Sequence, residues 1–136
     1  MYNYPESEVL LLKLNLECVR ELLLYAEENL SYKNNSITVN NLKLKDYSEE
    51  ELLYTAEKLN EANYIKCIIG YGYELPMIVI VDIYFQGHQF INNIRDDKVF
   101  TKTKSILSGF KSVSIELFSE TASKVITALI NQQINS

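Results

Sequence analysis

Residues 47–95 read YSEEELLYTAEKLNEANYIKCIIGYGYELPMIVIVDIYFQGHQFINNIR, and the order of elements in this stretch decides the fold. Ser48 opens a capping box. Its hydroxyl is placed to accept from the amide of Glu51, and the Glu51 carboxylate to reach back to the amide of Ser48. Glu49, Glu50 and Glu51 suit the positive end of a helix dipole. Leu52, Leu53, Ala56 and Leu59 recur at helical spacing as a buried stripe. Glu50, Glu51, Tyr54, Thr55, Glu57, Lys58 and Glu61 are then expected to face outward. Asn63 stands where a left-handed residue ends such a helix, a position that Asn tolerates best after Gly. Tyr64 to Ile69 reads as a strand, Gly70-Tyr71-Gly72 with Pro76 as turn chemistry, and Met77 to Phe85 as a second strand, nearly continuous in Ile and Val. The two strands are expected to pair antiparallel around residues 70–76. Gln86-Gly87-His88 opens a further helix carrying Phe90, Ile91 and Ile94, expected to run unbroken to about Leu107.

Outward from this stretch the pattern stays regular. Asn15 is a good N-cap, and Leu16, Val19, Leu23, Ala26 and Leu30 form one apolar helical face after it. Asn34-Asn35-Ser36 marks a turn and Ile37-Thr38-Val39 a short strand. Residues 40–45 suit either a helical turn or a loop. Gly109 breaks the pattern before a last helix from about Val113 to Ile134. Its apolar positions, Leu117, Phe118, Ala122, Val125, Leu129 and Ile130, cover more than one face. That width suits a central core helix or one packed on a second copy. The order predicts an α+β fold: a winged helix-turn-helix with a small antiparallel β-wing and long C-terminal helices. Residues 1–14 read as an N-terminal extension, 15–107 as the winged-helix domain, and 108–136 as a C-terminal helix packing on that domain or on a dimer partner.

A chain of 136 residues fits one domain, and 47% hydrophobic content is enough to form a core. The net charge of −5 is unevenly spread: residues 1–65 carry 6 Lys/Arg against 12 Asp/Glu, and residues 66–136 carry 7 against 6. The first half should therefore repel phosphate. Cys18 and Cys67 sit in apolar patterns far apart in sequence, as free buried thiols do, and metal sites need closer and more numerous ligands. The start of the chain lacks the features of a signal peptide, and no apolar run reaches the roughly 20 residues that cross a bilayer. The expected location is the cytoplasm, with no membrane partner.

Three segments resemble a known family. They are Leu14 to Leu24, Asp46 to Leu52 continued through Leu59 to Ile65, and Gln86 to Phe100, of which the Gly87-His88 to Arg95-Asp96-Asp97 part is the most specific. The family is the one of phages and prophages catalogued as domain of unknown function two-five-one-three. The resemblance implies a winged-helix protein carried in a bacterial host cell, with no assigned activity and no catalytic residues to transfer. Two positions depart from the pattern. Asn63 stands where many members have Gly, a mild change. Tyr84 stands where many have Thr, which removes a capping hydroxyl from the start of the next helix.

No reactive constellation emerges, and no catalytic residue, cofactor or metal is expected. His88 is the single histidine and has no nucleophile or ligand set beside it, so capping or packing is its expected role. Asp96 and Asp97 diverge by about 100° on a helix and suit a salt-bridged turn. Gly70-Tyr71-Gly72 is too short to cradle phosphate. A helix that enters a major groove presents Arg, Lys, Asn or Gln. Here five acids accompany Lys58 alone, and the turn supplies Tyr71, Tyr73 and Glu74. The expected partner surface is Glu50, Tyr54, Glu57, Lys58, Glu61, Tyr71 and Tyr73, binding a host or phage protein. Arg95, Lys98 and Lys102 form a basic patch on one helical flank, suited to a solvated face, to the acidic half of a second copy, or to a nucleic acid backbone. The alternative function is a DNA-binding transcriptional regulator of phage or host genes.

Overall fold

Asn15 caps the first helix, α1 (Leu16–Asn29), accepting from the amides of Glu17 at 2.9 Å and Cys18 at 3.3 Å. The computed structural model describes residues 14–44, 46–72 and 74–136, so the expectations for residues 1–13 and for Tyr73 lie outside the described residues. From α1 the chain runs through β1 (Ile37–Thr38), a 3₁₀ turn (Val39–Asn41), α2 (Glu49–Glu61), β2 (Ile65–Gly70), β3 (Met77–Ile83), α3 (Phe85–Ile94), α4 (Asp97–Ile106) and α5 (Ile115–Asn135). Among the described residues the architecture is α+β, five helices with one antiparallel sheet of order β1-β3-β2.

Val39, expected in the first strand, instead enters the 3₁₀ turn and is buried. The reason lies one residue on. The Asn40 side chain donates to the Pro76 carbonyl at 2.9 Å and accepts from the Ile78 amide at 3.0 Å, which fastens the turn to the start of β3.

A bulge adjusts the register of the sheet. Lys66 pairs with Asp82 but Cys67 with Ile80, so β3 carries an extra residue at Val81. Ile78 and Ile80 point into the core. An unbroken alternation would send Asp82 after them, but the bulge turns Asp82 outward and Ile83 inward. Asn60 of α2 accepts from the Cys67 amide at 2.8 Å beside this irregularity.

Helix α2 begins at the Ser48 cap, which accepts from Glu51 at 3.1 Å. The return half of the capping box is replaced: the Glu51 carboxylate accepts from Asn15 Nδ2 at 3.2 Å, a partner brought in by α1. Thr55, expected on the outward face, is buried. It donates to the Glu51 carbonyl at 2.7 Å and lies 3.4 Å from the Cys18 sulfur. Helix α2 packs on both α1 and the sheet, so its buried stripe is wider than one contact requires. Asn63 ends the helix region at φ 61°, as expected. Neither Gly70 nor Gly72 uses a positive φ.

The helix expected over residues 86–107 is two helices. Asp96 caps α4, accepting from Val99 at 3.0 Å. Arg20 fills the break from α1, donating to the carbonyls of Ile94 and Arg95, each at 2.7 Å, and pairing with Asp97 at 2.6 Å. Its guanidinium also lies 4.6 Å from the Phe100 ring centre. The free carbonyls at the end of α3 thereby gain a long-range donor. Tyr84 stands at the N-cap of α3 without a side-chain capping bond, in line with the lost hydroxyl.

The main core joins α1, α2, the inner face of the sheet, α3 and the start of α5, through Leu22, Leu52, Ile78, Ile80, Ile91 and Phe118. Val99, Ala122 and Val125 form a smaller cluster between α4 and α5. No buried position follows Val125 on α5. Among the described residues, no helix is long and apolar enough to cross a membrane.

Candidate interaction surface

The three acids and the one base of the expected partner surface stand together on α2. Its stripe of Leu52, Leu53, Ala56 and Leu59 is spent on the core, which leaves Glu50 and Glu61 exposed and Tyr54, Glu57 and Lys58 half-buried. Lys58 is the single base of this helix, and its charge is engaged locally. Its ammonium pairs with Glu61 at 2.9 Å and lies 5.4 Å from the Tyr54 ring centre. The hydrogen bond to Glu61 is the main reason its pKa is raised. The face therefore presents Glu49, Glu50 and Glu57 with no free cation from its own helix. Tyr71 stands on the turn after β2 and is 80% exposed.

The basic patch is divided by the break between α3 and α4. Arg95 closes α3, turns to α1 to pair with Glu27, and donates to Asn92 of α3 at 3.1 Å. Lys104 pairs with Glu17. Lys98 and Lys102 stay together on α4, where they line a groove of about 560 Å³ against α5 with Ile106, Val125, Ala128 and Leu129. Lys124 of α5 completes the rim, and sequence spacing gave no sign of it, because only the packing of α5 on α4 brings it to Lys102. The outer face of the hairpin carries exposed Ile68 and Met77, which were also not singled out. Strand alternation, read through Ile68 and its partner Val79, is the signal for them.

The other reactive side chains are dispersed. Among the described residues, no three His, Cys, Asp or Glu side chains gather as a metal would need. His88 is half-exposed, with Nδ1 3.5 Å from the Glu27 carboxylate. Cys18 is a free buried thiol as expected, whereas Cys67 is only half-buried; desolvation pushes the Cys67 thiol up to about 12. Burial likewise takes Cys18 up to about 11, against the hydrogen bond from Thr55 and with the charge of Glu51. Both therefore stay protonated at neutral pH, unlike an activated nucleophile.

The family model described as Hypothetical protein (DUF2513) matches residues 13–114. The chain belongs to this family. In this DUF2513 protein the match spans α1 through α4 and stops at Ser114, the N-cap of α5. No curated protein and no solved structure matches the chain.

Proposed function

We propose that this DUF2513 protein is a non-enzymatic accessory protein of phage or prophage origin that acts in the host cytoplasm by binding another protein. The observation that carries this reading is the exposed face of α2, where Glu50, Glu57 and Glu61 surround a lysine already held by Glu61 and Tyr54. The winged-helix reading is supported by the strand order β1-β3-β2 and by α2 lying between the first strand and the hairpin. In that fold α2 is the element that would enter a major groove. Its acids would meet phosphate there with no arginine to offset them, so duplex is disfavoured and most strongly at low salt. A basic protein patch is the complementary surface, with Tyr54 and Tyr71 as rigid amphipathic contacts.

The second reading, a DNA-binding transcriptional regulator, draws on Lys98, Lys102 and Lys124 along the α4–α5 groove. One experiment separates the two. The protein is used as bait in lysate of phage-infected host cells, with and without nuclease, beside the variant carrying Glu50→Lys, Glu57→Lys and Glu61→Lys. The expected result is one protein recovered specifically by the native bait, insensitive to nuclease and reduced at least tenfold by the charge reversal. Equal recovery by both baits, or retention on heparin that native protein releases only at high salt, overturns the protein-binding reading.

A further inference from the structure

The stripe that seats α5 on the domain continues past the domain's edge. Ile115, Phe118, Ala122, Val125 and Leu129 follow one another at alternating spacings of three and four, the repeat of helices that pack side by side. The stripe is covered by α3 and α4 as far as Val125, but Leu129 is 44% exposed. Ile106 of α4 borders the same groove and is 51% exposed. From Val125 to Ser136 the sequence VITALINQQINS contains no charged residue. A solvated helical arm ordinarily carries charge on its outer faces, and this one does not.

We infer that the α4–α5 groove is covered by α5 of a second copy, which runs antiparallel to the first about a two-fold axis between Ala128 and Leu129. Charge selects this occupant. A surface that pairs with itself must not oppose like charges, and in this register the lysine rim of each copy, Lys98, Lys102 and Lys124, lies along the uncharged end of the other copy's α5, from Gln132 onward. Val125 faces Gln132, and Ala128, small and central, faces Leu129. The amide oxygens of Gln132 and Gln133 are acceptors for the lysine rim. The acidic face of α2 offers no such match to itself, because Glu50 and Glu57 would meet their own kind. The product is a closed, isologous four-helix contact of α4 and α5 with their copies, which covers Ile106 and Leu129 together. This inference is independent of the protein-binding role of α2, which stays on the open side of each copy.

The test is sedimentation velocity of the full chain over a dilution series, with two variants. Native protein should sediment as a dimer that dissociates on dilution. Leu129→Lys alters a half-exposed position and should give a monomer with an unchanged far-UV circular dichroism spectrum. Ile134→Lys, on the opposite flank of α5, should stay dimeric. Ala128→Cys should form a reducible covalent dimer faster than native protein or Glu116→Cys. A native chain that is monomeric at every concentration overturns the inference. A dimer that survives Leu129→Lys, or that Ile134→Lys abolishes, places the contact elsewhere and overturns it as well.

Discussion

Gly87 sets how closely α3 approaches the chain that leaves α2. A methyl group there would lie 2.1 Å from the Tyr64 carbonyl oxygen and 2.9 Å from its carbon, so it would strike backbone and no side-chain rotation relieves it. The same carbonyl accepts from the Tyr84 amide at 3.0 Å, which holds it in place. Gly87→Ala must push α3 away from the Tyr64–Phe90 stack, whose ring centres are 5.3 Å apart. The expected cost is about 3 kcal/mol, at the upper end of ordinary overpacking because the obstacle is main chain. Urea denaturation measures it, and a loss below about 1 kcal/mol would mean that α3 can shift freely. The Gly-His pair was legible in the sequence as the most specific part of the family resemblance. Its physical reason was not, since Tyr64 meets Gly87 only after the hairpin has folded back.

The elements that were read well are those whose signals are local. Asn15, Ser48 and Asn63 each sit where a helix starts or stops for reasons contained within four residues. The break between α3 and α4 was missed because half of its cause is remote: Asp96 caps the second helix locally, but Arg20 comes from α1. The two contributions differ in size. Asp96→Ala removes one cap and should cost about 1 kcal/mol. Arg20→Met keeps much of the aliphatic stem but strips the carbonyls of Ile94 and Arg95, and Asp97, of their charged donor, and should cost about 2 kcal/mol. Thermal or chemical unfolding of the two variants orders them. A loss no larger for Arg20→Met than for Asp96→Ala would show that the remote donor adds no more than the local cap. Thr55 was misplaced for the same kind of reason, because a second contact surface for α2, supplied by Cys18 of α1, cannot be seen in the periodicity of α2 alone.

At the scale of the molecule, the acidic face of α2 was legible because charge and helical period lie in one segment. The lysine-rimmed groove was not, because Lys124 comes from a different helix than Lys98 and Lys102. Burial of ionisable groups is likewise a property of the whole fold, and it sets a pH limit on stability. Cys18 and Cys67, pushed up to about 11 and about 12, ionise less readily in the folded chain than in the unfolded one, where a thiol titrates near roughly 8.5. Tyr47 moves the same way, to about 12, through burial first and then the charges of Glu21 and its neighbours. For a raised pKa the stabilising contribution is complete below the unfolded value and is lost as pH climbs towards the folded one. The urea midpoint should therefore hold from about pH 7 to 8.5 and fall steadily between about pH 9 and 11 as unfolding releases protons from the thiols. Cys67→Ala should flatten that fall while lowering the neutral-pH midpoint only modestly. A midpoint that is level up to pH 11, or a slope that Cys67→Ala leaves untouched, would mean that water reaches the Cys67 sulfur and that β2 does not stay closed over it.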